Sequence, residues 1–289
     1  MATLDLRPLS LGEILDRTFT LYRSHFALFL GITAIPQLLV LALQLTQLFL
    51  AGSPRGLSGS ATNPVALPAA APVAAGASVV VGLLGAVVGT IAYLLSQGAT
   101  VSAVADLYLG RTPTIGASFQ KVRRDLGTLF GVAMLNGLVV LVGFVLLILP
   151  GIYMLCRLMI AVPAAVLENL GPRSSLDRSF ALTKDSAGRA FLILLLYFVL
   201  LFTFLALFQV PATMGLAAAR GNPAMVRLWL AITQVLASIG AVLVAPVLTI
   251  ATSAFYFDLR VRKEALDLQV MLNPGGEISS VGGVPGVLG

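Results

Sequence analysis

Residues 149–191 read LPGIYMLCRLMIAVPAAVLENLGPRSSLDRSFALTKDSAGRAF, and this stretch decides the fold. It begins with a tight turn at Pro150 and continues as an apolar run that carries Arg157 and ends at Glu168. A Gly-Pro-Arg-Ser-Ser break then leads into an amphipathic segment that starts at Ser175, and a second apolar run starts at Phe191. The pattern predicts a short amphipathic helix between two membrane-spanning helices.

The same arrangement recurs twice elsewhere in the chain. A Ser or Thr precedes a Phe by 16 residues in three places, with Leu or Ile at the second position and Leu or Phe at the sixth: Ser10 to Phe26, Thr114 to Phe130, and Ser175 to Phe191. This spacing predicts a threefold repeat of an amphipathic helix followed by a membrane hairpin. The amphipathic helices are predicted over residues 10–24, 114–126 and 175–188, each capped by its Ser or Thr and lying near the membrane plane.

Composition places the chain among membrane proteins. Hydrophobic residues make up 58% and charged residues 10%, whereas about a quarter of residues are charged in soluble domains. The apolar runs reach the length of about 20 residues that a helix needs to cross a bilayer. We therefore predict an all-α polytopic membrane helix bundle with six transmembrane helices and three amphipathic helices on the cytoplasmic face. The predicted spans cover about 26–51, 75–105, 127–148, 152–167, 190–214 and 228–256, within one membrane domain at 1–270 that precedes a Gly-rich disordered cytoplasmic tail at 271–289.

The basic residues predict the orientation in the membrane. Of the 18 Lys and Arg residues, 14 lie in the segments 1–25, 106–126, 171–189 and 257–264. Three more lie in the intervening loops at Arg55, Arg220 and Arg227, and Arg157 lies within a span. The positive-inside rule then places both termini in the cytoplasm of a multi-pass protein of the bacterial inner membrane. Because the net charge of +6 is concentrated beside the spans, we expect no nucleic-acid partner.

Arg157 is the main candidate binding residue. A charge inside a span costs roughly 2.5–3.5 kcal/mol on insertion scales, so it usually faces the bundle or water. It either anchors an anionic group, such as a lipid phosphate or a substrate carboxylate, or extends to the outer headgroups. Gln47, Gln209 and Gln234 occur at similar depth on spans one, five and six, where they form a polar cluster with Arg157 or bond neighbouring helices. Gly143 on the facing span is expected to leave room for the Arg157 side chain.

Three carboxylates end the even-numbered spans, at Asp106, Glu168 and Asp258. Their regularity predicts ion pairs with Arg or Lys of the neighbouring amphipathic helices, and the functional alternative is a proton relay. No nucleotide-binding loop, metalloprotease motif or nucleophile elbow occurs in the sequence. We therefore expect no enzyme activity, no cofactor and no metal site.

Several of these motifs resemble a known family. They are Leu9–Arg23, the Leu149–Tyr153 turn with Arg157, Glu168-Asn169, Ser175–Lys184 and Tyr256–Lys263. Over about residues 5–270 the chain is similar to the membrane domain of glycerophosphoryl diester phosphodiesterases. In fused members this domain accompanies a catalytic barrel of 200 residues or more, and 26 residues follow Lys263 here. The resemblance thus implies a membrane and lipid context but not hydrolysis.

Two functions are compatible with the sequence. The first is a non-enzymatic inner-membrane protein that acts as a scaffold or lipid-handling module, with membrane lipids and a membrane or cytoplasmic protein as partners. The second is a transporter for a small anionic or lipid-derived solute, with Arg157 in the path. Prolines that interrupt the spans favour the second function, because broken helices often line transport sites. They are Pro36, Pro163, Pro211 and Pro246.

The charge asymmetry generates a topology prediction. Reporter fusions at residues 60, 150 and 222 should be active in the periplasm, and fusions at 118, 180 and 270 should be active in the cytoplasm. If fusions at 118 and 180 reported opposite sides, the six-span arrangement would be wrong.

Overall fold

The computed structural model describes residues 9–50, 71–219 and 221–264, and it contains no strand within them. A π-helical turn occupies Leu205–Gln209. The helices are α1 (Leu11–Ser24), α2 (Phe26–Leu50), α3 (Ala71–Tyr108), α4 (Ile115–Arg123), α5 (Leu126–Leu146), α6 (Ile148–Leu158), α7 (Ala161–Glu168), α8 (Pro172–Thr183), α9 (Ala187–Phe204), α10 (Val210–Ala218) and α11 (Pro223–Glu264).

Six helical segments are long and apolar enough to cross a membrane, which confirms the predicted all-α membrane bundle. They are Phe26–Leu48, Gly82–Tyr108, Leu126–Leu146, Ile148–Glu168, Ala187–Ala218 and Pro223–Glu264. Large apolar side chains are exposed along one stripe of α5, at Met134, Leu138, Leu141 and Val145. Spacings of three and four residues place them on one helix face, as expected for contact with lipid. The chain is therefore a multi-pass membrane protein.

Within the domain predicted for residues 1–270, two compact units are distinguished. Among the described residues, the first comprises 9–33, 94–199 and 245–264, and the second comprises 34–50, 71–93, 200–219 and 221–244. Phe29, Ile160 and Phe255 are fully buried in the core of the first unit. In the second unit, Gln37 Nε2 donates a hydrogen bond to Ser238 Oγ at 3.3 Å. The predicted tail at 271–289 lies outside the described residues.

The turn between α5 and α6 consists of a single residue. Leu147 is extended, with φ −169° and ψ 160°, so the predicted turn at Pro150 is wrong. Pro150 instead lies in the first turn of α6, where a helix needs no backbone N–H donor. Gly143 does not make room for the Arg157 side chain, contrary to the prediction. The space beside it is occupied by Gly151, whose Cα would lie 3.0 Å from a Cβ at residue 143. The two glycines allow the helices of this hairpin to approach closely.

Two of the four prolines coincide with breaks in a span. Pro163 is the third residue of α7, and its ring is incompatible with the carbonyl four residues earlier, which separates α6 from α7. Pro211 follows the π-helical turn. By contrast, α2 and α11 continue through Pro36 and Pro246, so the predicted interruptions there are wrong.

All three predicted amphipathic segments are helical, but the third begins earlier than expected. Ser10 and Thr114 cap α1 and α4 by accepting from Glu13 N and Ala117 N. Ser175 is no cap: α8 already begins at Pro172, and Ser175 Oγ donates to the Gly171 carbonyl at 2.8 Å. Proline is favoured at the first position of a helix, which explains the earlier start.

The glycine contact in the α5–α6 hairpin can be tested with a matched pair of variants on α5. Gly143→Ala should lower the free energy of unfolding by about 1–3 kcal/mol, because its Cβ meets backbone atoms that cannot move aside. Gly137→Ala adds the same methyl group where no atom lies within 4 Å, and it should be neutral or stabilising. Unfolding in mixed micelles measures both. Equal effects of the two variants would refute the close approach.

Candidate functional site

The carboxylates near the ends of α3, α7 and α11 belong to the first unit and pair with basic side chains, as the sequence predicts. Asp106 has the simplest set of ion pairs among the three carboxylates. Lys121 of α4 donates from its ammonium group to both carboxylate oxygens of Asp106, at 2.9 and 2.7 Å. Arg111 lies 3.8 Å from the same carboxylate. The ion pair joins the end of one membrane span to the amphipathic helix that follows it, as predicted.

Glu168 belongs to a larger network. Arg178 of α8 donates from Nε to both oxygens of Glu168 at 2.9 Å, and from Nη2 to Glu264 at 2.8 Å. The hydroxyl of Tyr256 donates to Glu168 at 2.6 Å, and Arg260 donates to Tyr256 and Glu264. Burial acts to lower the pKa of Arg178, but its hydrogen bonds to Glu264 and Glu168 outweigh burial and raise that pKa above its usual value. Arg178 is therefore held as a cation between the ends of α7 and α11.

Asp258 fixes the start of α1. It accepts hydrogen bonds from the backbone N–H of Leu9 at 2.7 Å and from Arg189 at 2.8 Å. The carbonyl of Leu9 in turn accepts from Arg189 at 2.8 Å and from Arg262 at 2.6 Å. Because the side chain of Asp258 is 0% exposed, this charge depends entirely on protein partners.

These contacts connect the three repeats in a circle. The end of α3 is paired with α4, the end of α7 with α8, and the end of α11 with the start of α1. Each amphipathic helix is thus anchored by the carboxylate of the preceding repeat, and the last repeat anchors the first. We call this set of contacts the carboxylate ring, defined by Asp106, Glu168 and Asp258 with their partners. It holds the three amphipathic helices at one end of the first unit.

Sequence reasoning missed Arg260, a fully buried member of the carboxylate ring. Arg260 was counted as a basic residue beside the membrane, whereas its side chain is 0% exposed. A signal was present: Tyr256, Arg260 and Glu264 are spaced by four residues and therefore share one face of α11. The tyrosine and glutamate on that face are the groups that accept from Arg260.

Arg157 contacts α8 rather than the outer headgroups. Its Nη2 donates to the carbonyl of Phe180 at 2.7 Å, and the guanidinium lies 5.7 Å and 5.3 Å from the ring centroids of Tyr153 and Phe180. Ser179 and Thr183 donate hydroxyl protons to the carbonyl of Arg157, which lies at the break between α6 and α7. Among the described residues, Nε and Nη1 of Arg157 are buried without a hydrogen-bond partner. The residue is 9% exposed, so it joins α8 to the broken span.

The three glutamines that were predicted to join Arg157 belong to the second unit, whereas Arg157 belongs to the first. Gln209 Nε2 donates to the carbonyl of Thr233 at 3.4 Å, which is a weak bond between spans five and six. Gln47 lies beside Gly85. Both contacts are of the kind that connects neighbouring helices. The polar cluster of Arg157 with Gln47, Gln209 and Gln234 stays a prediction.

No family model, no curated protein and no solved structure matches the chain. The similarity to the membrane domain of glycerophosphoryl diester phosphodiesterases rests on the motifs quoted above, and membership of that family stays a prediction.

The carboxylate ring predicts a large difference between two Asp→Asn variants. Asp258→Asn should lower the free energy of unfolding by about 1.5–3 kcal/mol, because the fully buried side chain loses the charge that accepts hydrogen bonds from Arg189 and Arg262, while these arginines stay partly exposed to solvent. The control is Asp185→Asn, which removes a pair with Lys263 whose carboxylate is 76% exposed and should cost about 1 kcal/mol or less. Unfolding of the detergent-solubilised protein provides the measurement. A loss for Asp258→Asn no greater than that of the control would show that the ring does not stabilise the fold.

Proposed function

We propose that the chain is a non-enzymatic, multi-pass protein of the bacterial inner membrane, with both termini in the cytoplasm, and that it acts as a scaffold or lipid-handling module. The observation that supports this proposal is the carboxylate ring. Asp106, Glu168 and Asp258 are each held by a basic side chain at 2.9 Å or less. Groups fixed in this way favour a structural role over the proton relay, which needs carboxylates that gain and lose protons.

The exposed face of the amphipathic helices favours lipids as partners. Basic side chains on or beside these helices are exposed at Arg23, Arg173 and Lys184. A basic residue beside a membrane gains about 1 kcal/mol from the anionic lipids of the cytoplasmic leaflet. The carboxylate ring would hold these side chains at fixed positions against that surface. A membrane or cytoplasmic protein partner would then meet a rigid face rather than three independent helices.

A transporter for a small anionic or lipid-derived solute is the second candidate. The observation in its favour is the π-helical turn at Leu205–Gln209, followed by Pro211 within the same span. Such turns are rare and frequently occur at functional sites. Arg157 supports this candidate less than expected, because its Nη2 is bonded to the carbonyl of Phe180.

Reconstitution distinguishes the two candidates. Purified protein in vesicles of phosphatidylglycerol and phosphatidylethanolamine should not accumulate labelled glycerol phosphate or inorganic phosphate above empty vesicles. Native mass spectrometry of the same protein should show retained phospholipid, with Gln209→Leu behaving as the unmodified chain does. Uptake above the empty vesicles that is lost in Gln209→Leu would reject the scaffold or lipid-handling role in favour of transport.

A further inference from the structure

A cavity of about 550 Å³ lies at the same end of the first unit as the carboxylate ring, lined by the end of α3, the helix α4 and the end of α7. Small-ligand sites in proteins occupy roughly 300–1,000 Å³. The cavity therefore has room for a headgroup-sized ligand beside the ends of two membrane spans. None of the motifs discussed above assigns a role to it.

Charged side chains give the cavity a positive balance. Arg111, Lys121 and Arg124 line it together with Asp106 and Asp125, which leaves one net positive charge. Lys121 is paired with Asp106, but an ammonium carries three N–H donors and this contact uses at most two of them. No carboxylate of the described residues lies within 4.0 Å of the Arg124 guanidinium nitrogens. An anion that enters the cavity would meet the donors of Arg124 without displacing an existing ion pair.

The remaining lining is divided between amide and apolar groups. Gln120 contributes an amide donor, whereas Leu109, Val166 and Leu167 contribute apolar surface at the ends of α3 and α7. A free inorganic ion would gain no favourable contact from that apolar surface. A phospholipid can contact that surface, because its phosphate is joined to a glycerol backbone that carries the apolar acyl chains. The combination of cations and apolar side chains at a span end therefore matches a lipid headgroup better than a soluble anion.

We propose that this cavity binds the phosphate group of an anionic phospholipid headgroup, with Arg124 and Lys121 as its donors. The proposal rests on the proposed lipid-handling role and names the site and the class of ligand for it. Charge-assisted hydrogen bonds from guanidinium and ammonium groups are the strong contacts that proteins make with phosphate.

Two adjacent arginines provide a matched test. Arg123 and Arg124 are both exposed, and neither forms an ion pair among the described residues, but only Arg124 lines the cavity. Arg124→Gln and Arg123→Gln remove the same charge at the same end of α4. Thermal unfolding of each detergent-solubilised protein is followed while short-chain phosphatidylglycerol is added. Phosphatidylcholine of the same chain length and inorganic phosphate serve as separate additions.

The site predicts that phosphatidylglycerol stabilises the unmodified protein and Arg123→Gln alike, and that Arg124→Gln weakens its apparent affinity about tenfold, as expected for one lost charge-assisted hydrogen bond. Arg124→Lys should recover part of the affinity, which separates loss of a donor from a misfolded cavity. Equal binding by Arg123→Gln and Arg124→Gln would overturn the site while leaving a lipid-handling role intact. No binding of phosphatidylglycerol by the unmodified protein would overturn both. Full stabilisation by inorganic phosphate alone, sensitive to Arg124→Gln, would reject the lipid as the ligand.

Discussion

The carboxylate of Asp258 lies at the end of a long apolar helix with no access to solvent, and this constraint governs the end of the first unit that carries the amphipathic helices. A buried charge is tolerated only where opposite charges and hydrogen-bond donors surround it. Asp258 obtains them from Arg189, Arg262 and the backbone N–H of Leu9. Satisfying one buried group therefore brings together three segments that are far apart in the sequence.

All three carboxylates need basic partners. Their contacts join the three repeats, which are consecutive in the sequence, into a closed ring. Each carboxylate anchors the helix of the next repeat, and the last carboxylate anchors the first helix through backbone atoms of Leu9 rather than through a side chain. A contact to the backbone needs no particular residue at that position. The network around Glu168 adds Arg178 and Arg260, whose charges are shared with Glu264. Helices that are short and amphipathic gain most of their stability from such tertiary contacts.

A rigid end with exposed basic groups suits the lipid partners proposed above, and a further arginine, Arg124, lies beside it. The cations that face inward are paired with carboxylates of the carboxylate ring. Arg124, by contrast, lines a cavity next to the ring and has no acidic partner among the described residues. Arg157 illustrates the opposite case. Arg157 is bonded to the carbonyl of Phe180 and lies beside the rings of Tyr153 and Phe180 instead of extending to the headgroups, and anion binding by Arg157 stays a prediction. The location of a cation in the sequence thus indicates little about its role until its neighbours are known.

The sequence by itself determined the six spans, the all-α class and the caps at Ser10 and Thr114. Hydropathy, run length and capping depend on residues within a few positions of each other, so they can be read locally. Tertiary structure decided which arginine pairs with which carboxylate, because Arg189 and Asp258 are separated by 69 residues and meet only in the folded bundle. It also decided that Ser175 lies inside α8, where it bonds to a carbonyl instead of capping the helix. Charge type and spacing are local properties, whereas burial is set by whatever part of the chain packs on top.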